Sequence, residues 1–485
     1  TGIFGTNTTI NTTAAQNIVS SSTGVNGIVV QDSNVNNAGI INFSGDNSTG
    51  IYSNNNTSPS VLKTVVNSGN IEVTGQQSTG IFTDGTSDQN VVNTTTGTIK
   101  VGNSNLRSAP SVGIYGTALT ITNDGTLAVG DNSMGIYSLN TNPLSRITLS
   151  ASSNTTTGTG ATGVYKKAGT IDILGNVSVG NDSIGVYGVD GVTINNSSPS
   201  MTIGDNSFGI VAAGTGVNTV NSTSTNVTLG NDSVYIYTDS ATPSTLNTIN
   251  NSTSVVATGD RNIAIYANGG ETVNNTANID LSSTKGNIAI YSVDGVINNS
   301  GIIKIGNSDL TSSTGVVYSV GLAGKNAEII NNNDIYVQGD LGVGMYANGV
   351  SAASTYDAVN NGNIFLDPSV ALASGGTINR MTGMYLENGA RGVNNGYIGT
   401  NGATYAGNAS VKGLVGIGVL GTSEFTNYGT VEIDSDKGYG IVVKGTSPTQ
   451  LAVIKNYGTI KITGSDSVGI AYSDAQGQNT GVQLN

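Results

Sequence analysis

Apolar and polar residues alternate along this chain in short bursts, and the bursts recur. Leu119-Thr120-Ile121-Thr122-Asn123 alternates as a half-buried strand does, Asp124-Gly125 is a turn signal, and Thr126-Leu127-Ala128-Val129 alternates again. Gly130-Asp131-Asn132-Ser133 turns a second time, and Met134-Gly135-Ile136-Tyr137 opens a third strand before a variable loop restarts the cycle. The unit Gly-Asp-Asn-Ser-x-Gly-Ile-Tyr returns at Gly45–Tyr52, with relatives at Gly180–Tyr187 and Gly204–Val211 and more distant copies opening at Gly259 and Gly464. Successive copies are mostly about 22 to 33 residues apart, averaging roughly 27, the range for one solenoid coil. No stretch has a helix-length amphipathic period.

Short β-branched strands joined by tight corners at a constant period predict an all-β fold: a right-handed parallel β-helix with about three short strands per coil. Residues 1–485 read as one continuous region, because no linker or shift of composition divides them. Asparagines recur before the glycine corners, at Asn67, Asn123, Asn195, Asn251, Asn275, Asn299, Asn361, Asn395, Asn427 and Asn456, and are expected to stack as a ladder of amides. Four prolines, Pro59, Pro143, Pro243 and Pro448, follow the Gly-Ile-Tyr strand, so loop insertions are expected at that one corner. The widest gap between copies separates Tyr346 from Tyr385 and holds two excursions, Ser351–Asp357 and Pro368–Thr382. Thr1-Gly2-Ile3-Phe4 reads as the middle of a repeat, so the chain is expected to be an excerpt of a longer protein.

Composition narrows the chemistry. With no Cys and no His, thiolate metal sites, disulfides and the common catalytic triads are excluded. Absence of Cys also suits a chain exported unfolded through an oxidising compartment. A net charge of −13, spread rather than blocked, opposes nucleic acid and anionic membranes, and no apolar run is long enough to span a bilayer. A Ser–Lys pair is the remaining nucleophile option; Lys166-Lys167 is the adjacent basic pair and reads as a surface turn. Asp434-Ser435-Asp436 is the nearest local carboxylate pair and reads as a polar corner, since an acid–base site needs carboxylates converging from adjacent rungs. One Asp per corner is thin for calcium, so no metal and no cofactor is expected. Tyrosines at the third place of the unit, among them Tyr52, Tyr115, Tyr137 and Tyr165, are expected to point outward as a ladder, with ring-on-ring stacking weighed above ligand binding. The loop residues Tyr356, Asp357, Arg380, Arg391 and Tyr405 lie off that phase and are the candidate ligand-binding residues.

Asn456-Tyr457-Gly458-Thr459-Ile460-Lys461-Ile462, followed by Gly464-Ser465-Asp466-Ser467-Val468-Gly469-Ile470, resembles the passenger region of large autotransporter adhesins, most nearly the fusobacterial type V secreted group. The resemblance runs through the repeats over essentially the whole chain. It implies a non-enzymatic β-helical stalk at the bacterial surface, tethered to the outer membrane by a C-terminal barrel outside this sequence. It also implies adhesion to a host glycan, a host receptor protein or a neighbouring bacterium. No binding residue of the family carries over to a position here. A pure spacer and a polysaccharide-degrading β-helix enzyme are the alternatives. With exposed sheet edges only at its ends, such a chain is expected to be a monomer.

Overall fold

The computed structural model describes residues 2–240, 247–313, 315–352, 354–373, 375–445, 452–474 and 482–484; Pro243 and Pro448 lie outside them. Apart from one short helix, Ser369–Ala373, their regular structure is β-strand. The chain forms two compact units, Thr1–Thr228 with Tyr235–Tyr237, and Leu229–Val234 with Thr238–Asn485.

Each unit is a parallel β-solenoid with three strands per coil. In the first unit, Thr49–Asn55, Lys63–Asn67 and Asn70–Val73 make one coil, and Thr79–Gly85, Gln89–Asn93 and Thr98–Val101 make the next. Each strand lies parallel to its counterpart and in register, with Ile51 on Ile81, Val65 on Val91 and Ile71 on Ile99. The second unit repeats the arrangement, as where Ile265, Val273 and Ile279 align with Ile290, Ile297 and Ile303. The period-two alternation read from the sequence therefore becomes columns of like residues. Ile51, Ile81, Ile114 and Ile136 are fully or almost fully buried in one column, and each such side chain contributes about 1.5–3 kcal/mol of apolar burial.

The glycine of Gly-Ile-Tyr is required by close approach of the next coil. A Cβ on Gly50 would sit 2.5 Å from the Gly80 carbonyl oxygen, and Gly80 and Gly113 meet the next glycine's oxygen at the same 2.5 Å. Gly113→Ala is accordingly expected to destabilise the first unit by about 2 kcal/mol, since the obstacle is backbone and cannot rotate away. A chemical-denaturation midpoint unchanged by that substitution would contradict this packing.

The Gly-Asp-Asn-Ser corner divides its work among its residues. Asn47, Asn132 and Asn206 each adopt φ 52°, in the left-handed region that Asn tolerates better than most residues. The Asp131 carboxylate accepts the Thr159 N–H of the next coil at 2.7 Å. The Ser133 hydroxyl turns inward and bonds Gly102 O at 2.8 Å. The Asp46 carboxylate is engaged with backbone in the same way as that of Asp131, accepting the Gln76 N–H at 2.7 Å.

The asparagine ladder is present and buried. In the first unit Asn37, Asn67, Asn93 and Asn123 pass amide hydrogen bonds at 2.8, 2.8 and 2.7 Å. In the second, one line runs Asn251, Asn275, Asn299, Asn331, Asn360, Asn394, Asn427, Asn456, with every link between 2.7 and 2.9 Å. Three expected members are corrected. Asn195, Asn361 and Asn395 face outward, and their neighbours Asn196, Asn360 and Asn394 occupy the buried phase. Where two asparagines stand side by side, a one-residue difference exchanges inside for outside. Asn395 and Asn361 belong to an outer line instead, with Asn395 donating to Asn361 and Asn361 to Asn332, both at 2.9 Å, while Asn195 donates to Asp172 at 2.9 Å.

Insertions follow the Gly-Ile-Tyr strand at 56–62, 139–145 and 349–357, as the prolines suggest. The longest excursions, 306–319, 367–381 and 400–414, enter at a second corner, after the third strand, and all three belong to the second unit. The asparagine corner stays short throughout, because an amide ladder tolerates no change in spacing.

Candidate functional site

Outward-facing rings form the most regular feature of the surface. Tyr52, Phe82, Tyr115, Tyr137, Tyr165 and Tyr187 follow one another with centroids 4.7–5.5 Å apart. Each ring is half-buried against its neighbours, so the column is satisfied by self-stacking. In the second unit Tyr346 stacks on Tyr385 at 6.0 Å and 24°. There the column stops. The next three rungs place Gly418, Val442 and Ala471 in register with Tyr385.

Where the rings stop, a cleft of about 730 Å³ opens in the second unit. The Tyr385 ring leans over Gly418, where an added Cβ would come within 2.6 Å of it. Tyr385, Gly418, Val442 and Tyr439 line the cleft together with Arg380, Lys437 and Lys444. These three basic residues are exposed, and among the described residues none of them forms an ion pair.

The five candidate residues divide. Arg380 lines the cleft. Its loop is fixed from behind, since Asp340 Oδ1 accepts the N–H groups of Asn379 and Arg380 at 2.8 and 3.3 Å. Asp357 and Arg391 are joined in a clip. The Asp357 side chain has no exposed surface and receives Arg391 Nε at 3.0 Å, Arg391 Nη2 at 2.9 Å, and the N–H groups of Arg391 and Ser351 at 2.7 Å each. Arg391 Nη2 also donates to the carbonyls of Ser351 and Ser354, at 3.1 and 2.7 Å, and the carboxylate raises the guanidinium's pKa. This pair closes the 349–357 loop and leaves little capacity for a ligand. Tyr356 is half-buried in that loop. Tyr405 is half-buried in the 400–414 excursion, where burial and the Asp367 carboxylate raise its hydroxyl pKa. Neither tyrosine lines the cleft. Sequence reasoning missed Lys437 and Lys444, which it did not single out. It also passed over Tyr428 and Tyr457, an exposed pair stacked at 5.3 Å and 15°.

The residues weighed for catalysis are placed otherwise. Asp434 accepts the Ala406 N–H at 3.1 Å, and Asp436 accepts those of Ser465 at 2.9 Å and Gly407 at 3.2 Å. Lys166 departs from the expected surface turn. It occupies an inward position of its strand and is fully buried, donating from Nζ to Ser145 Oγ at 2.6 Å, while Lys167 lies outside near Asp190 at 3.7 Å. Desolvation lowers the Lys166 pKa from 10.5 to about 8. A lysine of lowered pKa beside a serine has the elements of a nucleophile and base, but Ser145 is equally buried and neither atom meets solvent. Among the described residues no group of three or more Asp or Glu side chains is arranged to hold a metal ion. No helix of the described residues is long and apolar enough to cross a membrane. Comparison with protein-family models, with curated proteins and with solved structures yields no match.

Proposed function

We propose that this chain is the displayed part of a bacterial cell-surface adhesin, a non-enzymatic β-solenoid that presents loops and a cleft to a partner surface. The observation that carries the reading is a contrast within one fold. Its inner corner is locked by an amide ladder, while the excursions at 367–381 and 400–414 gather in the unit that bears the cleft. A repeat scaffold that is uniform in its core and irregular in a few loops is built to hold a surface in place. Export and tethering to an outer membrane follow from the sequence resemblance, and the partner is a host glycan, a host receptor protein or a neighbouring cell.

The test is attachment of beads coated with the full chain to cultured host cells and to other bacteria. Saturable attachment that soluble chain competes away is expected, reduced when residues 400–414 are replaced by a short Gly-Asp-Asn-Ser corner. Absence of attachment to every cell type would overturn the reading in favour of a spacer.

A further inference from the structure

The cleft combines basic side chains that form no ion pair among the described residues with the end of the ring column. The chain has 17 basic and 30 acidic residues, and several of its cations are paired with carboxylates, as Arg261 is with Asp232 and Asp309 and Lys461 is with Glu432. The cleft lining holds three basic side chains and no carboxylate. Lys437 stands in the corner before the strand Tyr439–Gly445, Arg380 in the neighbouring excursion, and Lys444 near the strand's far end. Lys444 follows Lys437 by seven positions, a reach of at most roughly 23 Å. Between these charges lies the interrupted ring column, with Tyr385, Gly418 and Val442 as its floor.

We propose that this cleft binds an acidic carbohydrate chain, with the carboxylates of uronic or sialic-type sugars meeting Lys437, Lys444 and Arg380 and sugar faces lying on the Tyr385–Val442 floor. The inference rests on the adhesive reading and names its ligand class. Charge complementarity selects an anion in a chain that otherwise repels one. The floor selects sugar over peptide. It is the face of a sheet whose strands are already paired on both sides, so it offers no free backbone edge for an added strand. What it offers is a ring and shallow apolar surface flanked by charge, which suits the flat apolar face and polar rim of a sugar.

The experiment is calorimetric titration of the full chain with three probes: an oligogalacturonate, a neutral maltooligosaccharide of the same length, and polyglutamate. Oligogalacturonate is expected to bind at low salt and to weaken about tenfold or more at roughly 0.5 M salt, while the other two bind far more weakly. Lys437→Gln combined with Lys444→Gln should weaken oligogalacturonate about tenfold or more. Gly418→Tyr should do the same with every charge intact, by restoring a ring to the gap; Val442→Tyr serves if circular dichroism shows that the first variant does not fold. No oligogalacturonate binding, equal binding of polyglutamate, or variants that bind as the wild type does would each overturn the assignment. Cell attachment that persists in the double Lys variant would remove this ligand while leaving adhesion standing, whereas loss of all attachment by the wild type removes the adhesive reading itself.

Discussion

Replacing Asp357 by alanine is expected to destabilise the second unit by roughly 3 kcal/mol, the scale for breaking a buried ion pair on one side. The carboxylate has no exposed surface and satisfies four donors: two from the Arg391 side chain and the N–H groups of Ser351 and Arg391. Alanine strands three of them, since Arg391 Nη2 keeps the carbonyls of Ser351 and Ser354, and each buried orphan donor costs about 1–3 kcal/mol unless water reaches it. The instructive variant is Asp357→Asn. It keeps the shape but turns an NH₂ toward one pair of donors, whichever way the amide is flipped, and should be nearly as damaging as alanine. Adding Arg391→Ala to Asp357→Ala should recover part of the loss, because the guanidinium no longer needs a partner. Amide hydrogen exchange at Ser351 and Arg391 reads the effect locally: both should exchange faster in the two Asp357 variants. Protection unchanged at both amides would show that the clip does not hold the loop.

The solenoid was legible in the sequence because one physical signal is repeated many times over. Ile51, Ile81 and Ile114 each carry the same message about facing inward, and a reading error at one rung is corrected by its neighbours. The asparagine ladder was legible for the same reason, and the errors fell at Asn195, Asn361 and Asn395, where a doubled asparagine lets either residue fit the pattern. The register that separates inside from outside there is fixed by the neighbouring coil's pairing, Val359 on Ile330 and Asn360 on Asn331. The cleft was half legible. Gly418, Val442 and Ala471 stand in plain view where Tyr is the rule, so the end of the ring column could have been read from the repeats. The convergence of Arg380 with Lys437 could not, because it depends on where two excursions fold back, as Ile378 bridges Val411 and Lys412 bridges Asp436. The clip between Asp357 and Arg391 was hidden likewise: both residues were singled out as off-phase charges, and only their proximity in space turns them from ligand donors into each other's partners.

Lys166 was misread because charge outweighed phase. Its strand alternates with Val164 and Lys166 facing inward, and the residues in register with it on adjacent rungs, Ser138 and Gly188, are small. Together they leave room for one long side chain, and a lysine fills it at an electrostatic cost. Lys166→Met, which keeps the length and removes the charge, is expected to stabilise the first unit at neutral pH. The fall in pKa from 10.5 to about 8 corresponds to roughly 3 kcal/mol of preference for the neutral amine, and on the order of 2 kcal/mol should survive losing the bond to Ser145. The sign fixes the pH dependence. Because the folded pKa lies below the unfolded one, the penalty on the wild type is fully present below about pH 8 and fades as pH rises toward 10.5. The advantage of the methionine variant should therefore be largest at pH 7 and shrink between about pH 8 and 10.5, measured as the difference in denaturation midpoint between the two proteins. An advantage that stays constant across that window would mean that the gain comes from packing alone. A loss of stability at pH 7 would mean that the ammonium is better solvated than its single partner, Ser145, implies.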